Sequence, residues 1–224
     1  MSKYVFIYPH PDDESYNGSL LIQKLVGEGH DVSLVTLTKG GLGENHTDSK
    51  DLKAQRVEEI KKATELLNIH KYKILDYQDG SLKTTSANWA KALTKILSCK
   101  TDYVVTYDPT GTTGHPDHIV VSEFIYNHWR IIKNYKLLWY LPSFWQWQFY
   151  IKNKSQTKYK PSFVITGTFT TKLKKLAAIY QHGSQFNKSL ANRLKHYLFI
   201  LTGQESYHLV NNQDRPKFVY NTSN

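Results

Sequence analysis

The sequence predicts an α/β fold of Rossmann-like type, a mainly parallel sheet with helices on both faces. Two observations predict it. β-rich apolar runs alternate with segments of helical spacing through the first 130 residues, and turn-forming residues follow each run abruptly. No repeat, linker or low-complexity stretch interrupts the pattern. The 224 residues are therefore expected to form a single domain, 1–224, with a core portion 1–130 and an aromatic, basic portion 131–224.

The elements follow in order. Residues 4–8 (Tyr-Val-Phe-Ile-Tyr) read as a strand, then Pro-His-Pro-Asp-Asp-Glu as a tight turn, then a helix carrying Leu20, Leu21 and Leu25 and closed by Gly29. Residues 31–38 form the second strand and end in a Lys-Gly-Gly-Leu-Gly loop. The next helix places Leu52, Val57, Ile60, Ala63 and Leu67 near one stripe, with Glu58 and Lys62 spaced as an i,i+4 ion pair. A third strand at 73–77, a helix marked by Trp89, Leu93, Ile96 and Leu97, and a fourth strand at 103–107 complete the alternation. The loop Asp-Pro-Thr-Gly-Thr-Thr-Gly then leads into His-Pro-Asp-His and a helix through Ile119, Ile125 and Trp129. Further strands are expected at 136–141 and 163–167, and helices near 170–182 and 189–202.

Composition narrows the class. The chain is 40% hydrophobic and 21% charged, a globular balance that excludes disordered and collagen-like chains. A single cysteine, Cys99, cannot form an internal disulfide or a zinc ribbon, and its apolar neighbours suggest a buried, inert thiol. No stretch reaches the ~20 apolar residues of a membrane span, so a soluble, cytoplasmic protein is expected. The net charge of +10 is uneven: residues 131–224 carry 14 Lys/Arg against Glu205 and Asp214 alone. Such a field favours an anionic partner or is simply a solvated basic face.

In open α/β sheets ligands bind beyond the carboxyl ends of the strands. Two of those loops are dense in ligand-type side chains: His10, Asp12 and Asp13 after the first strand, and His115, Asp117 and His118 after the fourth. In each a proline follows the first histidine, as suits the first position of a helix, so the carboxylates fall in a first helical turn. His10, Asp13 and His118 can converge as three ligands of an open metal site. Asp12 is then left free as a general base beside a metal-activated water. His115 is available, protonated, to stabilise an oxyanion or protonate a leaving amine, with Asp117 holding its imidazolium.

At these loops the sequence resembles the LmbE-like, or PIG-L, family of zinc-dependent N-deacetylases. The residues that carry the resemblance are Pro-His-Pro-Asp-Asp-Glu (9–14) and Gly-His-Pro-Asp-His (114–118). Thr-Leu-Thr-Lys-Gly-Gly-Leu-Gly-Glu (36–44), the Arg56, Glu59 and Ala63 helix, and Asp79 after the third strand extend it. His-Gly-Ser-Gln (182–185) and Glu-Ser-Tyr-His-Leu (205–209) are similar to weaker late motifs. The resemblance implies Zn2+, with Fe2+ as another divalent candidate, held by His10, Asp13 and His118. It also implies Asp12 as base, His115 paired with Asp117 as electrophile or acid, and Arg56 and Asp79 as sugar-hydroxyl contacts. The implied reaction is removal of an N-acetyl group from an N-acetylglucosamine-type glycoconjugate. Pro9, Asn68 and Thr113 depart from the family pattern, standing where alanine, glycine and, in some members, a carbonyl-assisting tyrosine are found.

Residues 139–150 hold seven aromatics in twelve, flanked by lysines. The part from Phe144 onward suits a rim that stacks on sugar or contacts an anionic, lipid-linked aglycone at a membrane surface; self-packing is the plainer alternative. Two other classes stay open. Two histidines and a carboxylate also make the facial triad of non-haem iron enzymes, and a basic, aromatic chain can bind nucleic acid. Asp12 beside the metal argues against the first. The distance of the basic residues from the strand-end loops argues against the second.

Overall fold

The computed structural model describes residues 1–142, 157–186, 189, 194, 197, 203–218 and 220. Seven strands form one sheet in the order β3-β2-β1-β4-β5-β7-β6. The strands are β1 (Lys3–Tyr8), β2 (Asp31–Thr38), β3 (Lys71–Tyr77), β4 (Tyr103–Tyr107), β5 (Lys136–Leu141), β6 (Phe163–Ile165) and β7 (Glu205–Leu209). β1 to β5 pair in parallel, whereas β7 runs antiparallel to both β5 and β6. Among the helices are α1 (Asp13–Asn17), α2 (Ser19–Gly27), α3 (Leu52–Leu66), α4 (Ser86–Leu97), α5 (Gly111–Gly114), α6 (Pro116–Ile132) and α7 (Phe169–Gln181).

The period-two geometry of a strand divides the apolar residues between two cores. Val5, Ile7, Val104, Leu137 and Trp139 face α4 and α6, packing with Trp89, Leu93, Val121 and Ile125. Phe6, Tyr8, Val105, Leu138 and Tyr140 face the other way, onto Leu21, Ile22, Ile60, Ala63 and Ala178 of α2, α3 and α7. The parallel part of the sheet is thus covered on both faces, as the alternation of strands and helices requires. Strand order reverses direction at the junction of β1 and β4, so their carboxyl ends flank a crevice.

Several expectations are corrected. The first helix is broken at Gly18 into α1 and α2; a side chain there would meet the Tyr8 hydroxyl at 2.9 Å. α1 begins at Asp13, so Pro11 lies in the turn before it and Asp12 is its cap, whereas Pro116 does open α6. Glu58 pairs with Lys61 at 2.6 Å, one residue earlier than the spacing suggested. Cys99 is exposed because it lies past the end of α4, whose buried face is set by Trp89, Leu93 and Leu97. Asn68 adopts a φ of 57° just after α3, which is why glycine suits this position and asparagine replaces it at little cost. The expected helix at 189–202 and the aromatic stretch from Phe144 fall largely outside the described residues. Among the described residues no helix is long and apolar enough to cross a membrane.

β7 was read only as a motif. Its Glu205 is fully buried and accepts the Leu20 and Leu21 backbone N–H groups at 3.0 Å each, capping the start of α2 from across the fold. Lys175 of α7 lies 2.7 Å from the same carboxylate, and the Tyr207 hydroxyl donates to it at 2.8 Å. Removing one partner of a buried pair strands the other charge. Lys175→Met is therefore expected to destabilise the protein by about 3–5 kcal/mol in chemical denaturation. Adding Glu205→Gln to that variant should recover part of the loss.

Candidate metal centre and active site

The turn after β1 and the segment after β4 meet at the β1/β4 crevice. His10 Nδ1 and His118 Nε2 lie 3.1 Å apart. Asp13 reaches the same point, with Oδ2 at 3.8 Å from His10 Nδ1 and Oδ1 at 3.5 Å from His118 Nε2. Ligands at ~2.0–2.1 Å from a tetrahedral zinc ion lie roughly 3.3–3.5 Å from one another. The three side chains bracket that spacing.

The outer contacts set which ring nitrogens face inward. His118 Nδ1 donates to the Gly111 carbonyl at 3.1 Å, leaving Nε2 unprotonated. His10 Nε2 faces Asp79 at 3.0 Å and Asp117 at 3.3 Å, two acceptors, so it carries a proton and turns Nδ1 toward the His118 lone pair. Two ring nitrogens aimed at each other at this distance need a positive centre between them, a shared proton or a cation. Asp13 supplies a third donor that a shared proton does not require. Its oxygens are steadied by the His10 backbone N–H (2.9 Å) and the Tyr107 hydroxyl (2.6 Å), while the Tyr107 ring stacks on His118. The residues therefore fit a divalent cation.

Electrostatics agree with this reading. Burial opposes charge on His10, but hydrogen bonds to Asp117 and Asp79 outweigh it and raise the pKa to about 10, so without a cation the ring holds a second proton on Nδ1, which a bound ion would displace. Burial, with His10 and His115 nearby, pushes His118 well below its ordinary value and keeps it neutral, as a metal ligand must be. His10, His115 and His118 also bring ring nitrogens within 4.8 Å of one another, as do His10, Asp79 and Asp117 their ligand atoms. His115 is the less suitable ligand. Its Nδ1 accepts the Asp117 backbone N–H at 3.2 Å, which places the neutral ring's proton on Nε2.

The expected His115–Asp117 pairing does not form. The Asp117 carboxylate accepts from Gly80 N–H (2.8 Å) and Leu82 N–H (3.1 Å) and supports His10 instead. Burial and the neighbouring His10 lower the His115 pKa, so the ring is a neutral donor and not an imidazolium. The signal was masked because Asp117 is near His115 in sequence, yet the first turn of α6 swings its side chain toward the β3 loop.

Asp12 has a φ of 105°, lines the crevice and stands outside the His10–Asp13–His118 cluster. Its Oδ2 is 3.4 Å from Arg56 Nη2. Burial, partly offset by that guanidinium, pushes its pKa up to about 6. Arg56 is 3% exposed and also donates to the Gly40 and Pro11 carbonyls. Gly40 and Gly43 make room for it, since a side chain at either would sit 2.3 Å from Arg56 Nη1. Asp79 accepts the Leu42 N–H at 2.8 Å as well as facing His10. The crevice, of about 400 Å³, is walled by these residues together with Leu42 and Gln185. Gln185 comes from the His-Gly-Ser-Gln motif, whose 3₁₀ turn at Gly183–Gln185 follows α7. Three carboxylates in the wall, with Asp117 behind them, face the Arg56 guanidinium and the His10 ring, a negative excess that a divalent cation offsets.

A family described as PIG-L, GlcNAc-PI de-N-acetylase, matches residues 5–129, a span that includes both loops. The chain belongs to this family. A 1D-myo-inositol 2-acetamido-2-deoxy-alpha-D-glucopyranoside deacetylase of Geodermatophilus obscurus is 31% identical over 146 residues, covering 52% of this chain and 49% of that protein. A diacetylchitobiose deacetylase of Thermococcus kodakarensis is 33% identical over 121 residues, 53% of this chain and 45% of that protein. The chain spans about half the length of these curated relatives. The fold matches the crystal structure of N,N'-diacetylchitobiose deacetylase from Pyrococcus horikoshii with a TM-score of 0.74 and 24% identity, over 93% of this chain and 84% of that one. As a PIG-L family member, the chain matches the family across both the His-Pro-Asp turn after β1 and the one at the start of α6.

The carboxylates behind His10 orient the ring and set its tautomer. Asp79→Asn replaces an acceptor with a donor next to either His10 Nε2–H or Leu42 N–H. It is expected to weaken binding of Zn2+ alone by about 10–100-fold in a competitive chelator titration, with the folded state retained by circular dichroism.

Proposed function

We propose that this PIG-L family chain is a zinc-dependent N-deacetylase that hydrolyses the acetamide of an N-acetylglucosamine-type amino sugar. The observation that carries the reading is the convergence of His10 Nδ1, His118 Nε2 and the Asp13 carboxylate, with the Asp12 carboxylate outside their cluster. The named activities of the Geodermatophilus and Thermococcus relatives support the substrate class.

His10, Asp13 and His118 would hold the ion, which when bound supplies a Lewis acid toward water and the acyl oxygen. Asp12, aimed by Arg56, accepts a proton from the attacking water at its carboxylate. His115 donates its Nε2–H toward the acyl oxygen as negative charge develops there. As the carbon–oxygen bond forms and the carbon–nitrogen bond breaks, Asp12 returns the proton to the leaving amine, giving acetate and the free amino sugar. Arg56 and Asp79, in the crevice wall, are the proposed contacts for sugar hydroxyls in addition to holding Asp12 and His10. Thr113 lies in α5, where some members of the family place a tyrosine, so His115 is assigned the whole of the oxyanion donation.

Amine release from a panel of N-acetylglucosaminyl compounds, including lipid-linked and nucleotide-linked ones, tests the reading. Chelation should abolish turnover and added Zn2+ restore it. Asp12→Ala should lower kcat by about 10²–10⁴-fold with zinc content unchanged, whereas His118→Ala should lose zinc. Full activity in Asp12→Ala would overturn the assigned base.

A further inference from the structure

Asp12 holds a backbone conformation that costs a non-glycine residue about 1–3 kcal/mol and persists where neighbours enforce it. Its φ is 105° and its ψ −27°. The Asp12 carbonyl accepts from Ser15 N–H at 3.0 Å and Tyr16 N–H at 3.1 Å, which are ordinary first-turn bonds. The Asp12 N–H has a less ordinary partner, donating at 3.1 Å to Oε2 of Glu14, whose side chain folds back over the turn. Glu14 is fully buried. Its other oxygen, Oε1, accepts the Ser15 hydroxyl at 2.6 Å and lies 2.8 Å from His182 Nε2.

His182 comes from the far end of the chain and is 1% exposed. Its place is set independently of Glu14. The 3₁₀ turn that follows it is pinned to α3, where Ser184 donates its N–H (2.8 Å) and hydroxyl (2.6 Å) to the two oxygens of Glu59. Neither Glu14 nor His182 lines the crevice. A buried carboxylate–imidazole pair is weak evidence for stability, because desolvation offsets much of the attraction. The pair does have a positional consequence, since it fixes the acceptor that holds the strained residue.

We propose that His182 is a positioning residue for Asp12. By anchoring Glu14, it keeps the Asp12 N–H bound and the turn in the left-handed form that presents the carboxylate to the crevice. The inference rests on Asp12 being the base, and it assigns the first residue of the late His-Gly-Ser-Gln motif a task that touches neither substrate nor ion.

The test compares His182→Ala, His182→Gln, which keeps a donor near Nε2, and Leu67→Ala, a core truncation remote from the crevice. Hydrogen exchange at the Asp12 amide, followed by NMR, needs no substrate. It should accelerate at least about tenfold in His182→Ala and stay near wild type in the other two, the scale expected when a hydrogen bond to a charged acceptor is lost. With an N-acetylglucosaminyl compound that the wild type hydrolyses, kcat should fall about 10–100-fold in His182→Ala while KM and the affinity for Zn2+ alone stay within about twofold, and His182→Gln should recover most of it. Unchanged Asp12 exchange in His182→Ala would overturn the proposal, as would an equal kcat loss in Leu67→Ala or a parallel loss of zinc affinity. A wild type that hydrolyses none of the panel would instead overturn the deacetylase reading, and the exchange experiment would still decide this one.

Discussion

Two imidazole nitrogens, His10 Nδ1 and His118 Nε2, lie 3.1 Å apart, and much of the surrounding structure holds them there. The Gly111 carbonyl sets one ring and the carboxylates of Asp79 and Asp117 set the other. Those carboxylates are themselves held by backbone N–H groups of Leu42, Gly80 and Leu82, so the loops after β2 and β3 take part in a site whose ligands come from the loops after β1 and β4. A parallel sheet suits such a demand, because the loops after its strands open on one edge and the reversal of strand order leaves a gap between two of them.

The same crevice keeps two adjacent carboxylates in different roles. Asp13 lies in the first turn of α1 with both oxygens hydrogen-bonded, one to Tyr107, which fixes its carboxylate beside His10 and His118. Asp12, one residue earlier, is turned by its positive φ toward Arg56 and stays outside the ligand cluster. Neighbouring aspartates with the same side chain are thus separated in contacts by backbone conformation. The left-handed turn is a local strain that the Glu14–His182 contact and the Arg56 guanidinium together oppose.

Much of this was legible before any coordinates. Strand–helix alternation indicated the parallel sheet, and the residues just past the first and fourth strands named the metal candidates, because those positions are where such sheets place ligands. Less legible were features with no local periodic signal. β7 begins with a buried glutamate that breaks the apolar alternation, since Glu205 serves the N-terminus of α2 instead of the solvent. Cys99 lies in an apolar run yet is exposed, because it falls beyond the helix whose face the run describes. Lys61 rather than Lys62 meets Glu58, as both are sterically accessible on an exposed helix surface and side-chain rotamers decide between them.

The sequence alone determined that two His-Pro-Asp turns follow strands and that their side chains can hold an ion, because residue type and strand-end position are local properties. Tertiary structure decided which carboxylate supports which histidine. Asp117 turns from His115, two residues away in the chain, to His10, more than a hundred residues away, because the first turn of α6 aims its oxygens at the Gly80 and Leu82 N–H donors of the β3 loop, beside the His10 ring. Hydrogen-bond pairing in a buried site is settled by which unsatisfied groups the packed elements bring together, and no spacing along the chain encodes that.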